Sequence, residues 1–201
     1  LEAYPNDVAV YFVHNPLGFH KNAMPAAKAA TAAQKQGKFW EFHDKAFANS
    51  KALTSENFLA WAGELGLDIE QFKKDMADPA TDKEVKRQQK ASVALGSRGT
   101  PGFFINGELL SGAQPFDKFK AAIDKEMTAA NDLIKKGTKP GEVYGKRLAI
   151  NLKATGGKGS KGGKAGNDFF NGGNITSKRA IRAGSHFHTP LLRNSRSSRS
   201  F

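Results

Sequence analysis

The chain has 201 residues, 39% of them hydrophobic, no cysteine and a formal net charge of +12, enough for one domain with a proper core. The charge is uneven: residues 1–145 hold 19 Lys and Arg against 18 Asp and Glu, whereas residues 146–201 hold 12 against 1, so the basic character belongs to a tail. No run approaches the ~18 apolar residues of a membrane span, the opening residues lack the basic and apolar regions of a signal peptide, and the lack of cysteine removes any inference about redox compartment.

In chain order, Asp7–Val13 is rich in β-branched and aromatic residues between Pro5-Asn6 and Asn15-Pro16, and predicts a buried strand. Asn22 is the expected cap of an Ala-rich helix from Ala23 to Gln36, stopped by Gly37. A second helix, Phe39–Ala48, sets Trp40, His43 and Phe47 on one stripe. Thr54 or Ser55 caps a third, with Phe58, Leu59, Ala62 and Leu65 as its apolar face and Gly66 as its stop. Asp68 starts a short fourth helix through Ile69 and Phe72. After Asp78-Pro79 a mostly polar helix runs from Ala80 to Leu95 and stops at Gly96.

The next stretch is the most specific in the chain. Phe103, Phe104 and Ile105 form an apolar run, Asn106-Gly107 supplies the two positive-φ positions of a type I′ turn, and Leu109-Leu110 returns the chain, so a hairpin is expected. It is entered through Thr100-Pro101, where a proline cannot donate to a ladder and a cis bond would leave the preceding backbone free for a partner. Pro115 then opens a long helix in which Phe116, Phe119, Ile123, Met127, Ala130 and Ile134 recur every three to four residues up to Gly137.

The run RGTPGFFINGELLSGAQPFDKFKAAID resembles the cis-proline loop, last hairpin and last helix of the DsbA-like thiol-disulfide oxidoreductases of the thioredoxin superfamily. Residues 15–49, NPLGFHKNAMPAAKAATAAQKQGKFWEFHDKAFAN, resemble the start of that family's inserted helical region. The resemblance spans roughly Asp7 to Met127. It implies an α/β thioredoxin-like fold with an inserted helical region (about 22–95) in a domain over residues 1–145. That domain is N-terminally incomplete, because the family's first strand and its Cys-X-X-Cys helix would lie before residue 1. The chain opens on Leu1 and not Met, in keeping with a beginning further upstream. The family's first strand sits between the strands expected at 7–13 and 103–106. Without it both lose ladder partners, each unmet buried group costing about 1–3 kcal/mol. The alternating stretch Arg147–Leu152 is a candidate filler.

The resemblance implies thiol-disulfide exchange on exported proteins in the bacterial periplasm or cell envelope. That chemistry needs a thiolate of depressed pKa and a resolving cysteine, so this chain as written is expected to be redox-inactive, with no catalytic residue. What it retains is the peptide-facing loop, with Gly99, Thr100 and Pro101 as the substrate-binding residues and an unfolded or extended polypeptide as partner. A non-catalytic peptide-binding or chaperone-like role is the alternative from a second class.

Other chemistry is weakly signalled. His43, on a stripe with Trp40 and Phe47, reads as a packed structural histidine, His20 as locally bonded in its turn, and His14 likewise as structural. His186 and His188 lack a third ligand at a recognised spacing, so no metal is expected, and no cofactor. The Gly/Lys run 156–164 lacks the ending of a phosphate loop. Residues 146–201, Gly/Lys-rich and then Arg/Ser-rich, are expected to be disordered. They could bind nucleic acid nonspecifically through phosphate neutralisation.

Overall fold

The computed structural model describes residues 2–154 and 176–179. Five helices contiguous in sequence form one body: α1 (Ala23–Lys35), α2 (Phe39–Ala48), α3 (Ser55–Glu64), α4 (Ile69–Ala77) and α5 (Pro79–Ala94). Alanine is the best helix former and offers little bulk, and α1 uses both properties. Ala29, Ala32 and Ala33 are wholly buried, which lets α2, α4 and α5 approach it closely. Around this axis Phe42 packs its ring 6.2 Å from Phe58, 6.0 Å from Trp61 and 5.8 Å from Phe72, measured between centroids. Those tilted and edge-on geometries suit ring quadrupoles.

The boundaries have local causes. Thr54 Oγ1 accepts from the Asn57 N–H at 3.3 Å and Asp68 Oδ1 from the Gln71 N–H at 2.9 Å, each satisfying one orphan donor of a helix start. Asp78 closes α4 and caps α5, accepting from the Ala80 N–H at 2.8 Å. Asn22 holds the cap position of α1 but its side chain makes no cap bond. Helices α1, α3 and α5 stop at Gly37, Gly66 and Gly96, all with positive φ. The Lys38 N–H reaching back to Ala33 O at 2.9 Å shows the six-to-one bond of such an ending.

The sheet portion is small. A hairpin pairs β2 (Gly102–Ile105) with β3 (Glu108–Ser111), Phe103 opposite Leu110 and Phe104 opposite Leu109. Asn106 (φ 47°) and Gly107 (φ 93°) make the turn expected of them. Strand β1 is Val10–Phe12, and it pairs antiparallel with β4 (Thr176–Arg179) through an irregularity between Tyr11 and Phe12. Two further helices follow the hairpin, α6 (Phe116–Lys135) and α7 (Pro140–Ala154).

Several expectations are corrected here. The strand at 7–13 is three residues long and not buried: Val10 is 39% and Tyr11 42% exposed. A two-stranded sheet covers β1 on one edge and leaves most of its faces to solvent, and only Phe12 reaches the aromatic core, 5.3 Å from Phe39. The stretch Arg147–Leu152 fills no strand slot, because it is helical within α7. Pro140 at the first position favours that helix, and the 3.6-residue period puts Leu148 and Asn151 together on the buried side. The expected boundary at 145 therefore falls inside a helix, and two parts of the expected disordered tail are ordered, 146–154 as helix and Thr176–Arg179 as strand; the rest of that tail lies outside the described residues. In α6 the apolar stripe is only half covered, with Phe116 59% exposed, while the one buried residue is Glu126.

Candidate functional site

The loop from Ser97 to Gly102 is set by the end of α5. Gly96 (φ 101°) turns the chain, the Ser97 N–H bonds back to Ser92 O at 3.0 Å, and Ser97 Oγ donates to Gly99 O at 3.1 Å. The Thr100-Pro101 bond is cis. On the far side Pro101 O accepts from the Gly112 N–H at 2.9 Å, which fastens the loop to the end of the hairpin. A Cβ at Gly102 would meet Ser97 Oγ at 2.4 Å, so a side chain there displaces the hydroxyl that bonds Gly99 O. Between these anchors Arg98, Gly99, Thr100, Pro101 and Gly102 are all exposed. The three residues expected to face substrate are thus contiguous and presented outward, at the mouth of a strand that has a ladder partner on one edge only among the described residues.

A second segment lies against this loop. Asn15 Nδ2 donates to Ser97 O at 3.5 Å, the His14 N–H to Gln88 Oε1 at 2.8 Å, and Gln89 Nε2 to Pro16 O. Residues 14–16 are therefore stitched to the end of α5, and the turn that follows holds Phe19, 76% exposed, its ring 4.4 Å from that of His20. His20 bonds locally, its N–H to Leu17 O and its carbonyl to the Ala23 N–H.

His14 is buried and its tautomer follows from its neighbour. Thr31 spends its single hydroxyl proton on Ala27 O at 2.8 Å, so at the 3.2 Å contact it is His14 Nε2–H that donates to Thr31 Oγ1. Burial pushes His14 down to about 4; the Glu84 carboxylate opposes that shift and His43 adds to it. At neutral pH it is an uncharged packing group, edge-on to Phe12 at 5.2 Å and Phe39 at 6.0 Å. His43 is held by Asp44 at 2.9 Å and stacks on Phe47 at 4.4 Å. No cluster of three or more His, Cys, Asp or Glu able to hold a metal is found among the described residues; His186 and His188 lie outside them.

Two polar clusters escaped the sequence reading. Gln88 and Glu84 (Gln88 Nε2 to Glu84 Oε1, 2.9 Å) support His14 from α5. Their signal was the stripe Thr81, Val85, Gln88, Ser92, whose spacing is helical but whose members are mostly polar. The other cluster holds the hairpin tip: Arg147 bonds Glu126 through two nitrogens at 3.0 and 2.7 Å, and Asn106 Nδ2 donates to Glu126 Oε2 at 3.2 Å. Burial works to raise the Glu126 carboxyl, but the bonds and charge of Arg147 with the hydrogen bonds from Asn151 and Asn106 outweigh it and hold the group below its usual range.

The family model for the DSBA-like thioredoxin domain matches residues 6–124. The chain belongs to that family. Among curated proteins the DSBA-like chain is 36% identical over 143 residues to the Na(+)/H(+) antiporter NhaA of Herminiimonas arsenicoxydans, which covers 71% of this chain and 22% of the antiporter. It is 34% identical over 118 residues to Na(+)/H(+) antiporter NhaA 3 of Salinispora tropica, 58% of this chain and 18% of that protein. To the probable disulfide bond formation protein D of Bacillus anthracis it is 33% identical over 129 residues, 60% of this chain and 58% of that protein. The DSBA-like chain thus spans about a fifth of the antiporter relatives' length and a little over half of the disulfide-formation relative's. No solved structure matches it. No helix among the described residues is long and apolar enough to cross a membrane, and none of these relatives' names supports a nucleic-acid partner.

Proposed function

We propose that this DSBA-like chain is the polypeptide-facing scaffold of a thiol-disulfide exchange domain. It holds an unfolded or extended polypeptide along Gly99, Thr100 and Pro101, and residues 1–201 by themselves carry out no exchange. The observation that carries this reading is the outward-facing loop, anchored at Ser97 and Gly112, in which Arg98 to Gly102 are all exposed. An extended peptide bonds to exposed backbone of this kind through its own main chain. The chemistry itself needs a thiolate and a resolving thiol, and the chain contains no cysteine. The family and the name of the disulfide-formation relative support the polypeptide as the class of substrate.

The test is binding of a labelled unfolded peptide, read by fluorescence anisotropy on the full chain. Pro101 has a fixed φ, so Pro101→Ala loosens the loop and is expected to weaken binding several-fold, with the far-ultraviolet circular dichroism unchanged. Peptide that binds the variant and the parent chain alike refutes the reading. A disulfide-linked peptide pair should meanwhile exchange no faster with the chain than in buffer.

A further inference from the structure

The side chains bordering the loop carry a charge bias that the binding reading alone does not use. Arg98 is exposed, directly precedes Gly99, and makes no ion pair within the described residues. Just before it, α5 pairs Arg87 with Glu84 at 2.7 Å and Lys86 with Asp82 at 2.7 Å. No Asp or Glu occurs between Glu84 and Glu108, nor between Asp7 and Glu41, and these two stretches supply the loop and the segment stitched to it. Glu108, the next carboxylate along the chain, is already engaged by Lys125 at 2.7 Å. In the turn that follows the stitched segment stands Phe19, 76% exposed, its ring tilted 4.4 Å from that of His20, with nothing within 4 Å of the position a Cβ would take at the neighbouring Gly18.

Resting on the polypeptide-binding reading, we propose that the segment held here is acidic: Arg98 selects an extended polypeptide that carries a carboxylate next to an aromatic or aliphatic residue, and Phe19 receives the apolar neighbour. A guanidinium is planar, always charged and suited to two-point contact with a carboxylate, and an exposed aromatic ring offers rigid apolar area at small entropic cost. The chain's own basic residues 146–201 are of the wrong sign to compete for the position.

Three labelled peptides of equal length test this on the full chain. They are identical and neutral except for a central Phe-Asp, Phe-Asn or Phe-Lys pair. An exposed ion pair changes affinity by a single-digit factor, so the Phe-Asp peptide should bind roughly fivefold tighter than the Phe-Lys peptide at low salt. That preference should fade by 0.3 M salt, about where the screening length falls to a few ångströms. Arg98→Gln should abolish the preference, Arg98→Lys keep part of it, and Phe19→Ala weaken all three peptides alike. A preference for Phe-Asp that survives Arg98→Gln assigns it to the basic tail and overturns the inference. So does a set of peptides that bind and respond to Pro101→Ala yet show no charge preference, and in that case the binding reading stands. If none of the three binds, both fall.

Discussion

Asn151 on α7 donates its Nδ2 hydrogens to Asn106 O at 3.1 Å and to Glu126 Oε1 at 3.0 Å, joining a helix that lies past the matched domain to the tip of the hairpin and to the buried carboxylate of α6. Arg147 completes the arrangement. It bonds Glu126 twice and donates to Asn151 Oδ1 at 3.0 Å.

Removing one partner of such a group leaves a buried charge without compensation. The Glu126 side chain is 3% exposed and that of Arg147 11%, so Arg147→Ala should cost about 3 kcal/mol. Asn151→Ala, which removes hydrogen bonds to the Glu126 carboxylate and from the Arg147 guanidinium and strands the Asn106 carbonyl, should cost about 1–3 kcal/mol. Urea denaturation followed by circular dichroism reads both. Equal and negligible shifts would mean that α7 does not hold the hairpin.

Gly107 has a second reason to be glycine beyond its φ of 93°: a Cβ would lie 2.8 Å from Leu148 Cδ1 and 3.5 Å from Leu148 O. Gly37 shares the positive φ (77°) but has open space around it. Gly37→Ala should therefore cost only the left-handed penalty, about 1 kcal/mol, and Gly107→Ala clearly more, because Leu148 must move. Thermal melts of the two variants under one buffer give the comparison, and similar losses would contradict the close approach.

His14 gives the fold a dependence on acid. Its folded value, about 4, lies below the 6.5 of a free imidazole, so between those two values the unfolded chain binds more protons than the folded one. Stability is then intact above about pH 6.5 and declines as pH falls towards 4, by a total of about 3 kcal/mol from this group. Chemical denaturation at pH 7, 6 and 5 should show the decline, and His14→Gln should flatten it. A slope unchanged in the variant would assign the effect to other groups.

Much of this was legible from local signals. The glycines at 37, 66, 96 and 137 end their helices because a positive φ is cheap there, Phe39–Ala48 has the bounds read from its stripe, and Asn106-Gly107 makes its turn. The entry to the hairpin was legible as well, since Thr100-Pro101 before an apolar run is a short-range pattern. What escaped was long-range or disguised. Arg147–Leu152 alternates like a strand, and the partner that makes it a buried helix face, Glu126, sits 21 residues earlier on a helix whose apolar stripe drew attention away from it. Val10 and Tyr11 look like core residues until their strand proves to have a single neighbour among the described residues.

The order of the chain also bears on how the molecule assembles. Helices α1 to α5 and their aromatic centre are drawn from one uninterrupted stretch, 23–94, whereas β1 finds its partner near the opposite end of the chain, Val10 across from Arg179. Closing a loop that long costs entropy before any ladder bond returns it. The helical body can therefore nucleate by itself, and the β1–β4 pairing belongs to the last step. Pulsed hydrogen exchange during refolding should protect the amides of α1 and α5 first and that of Tyr11 last; simultaneous protection would show one cooperative event instead.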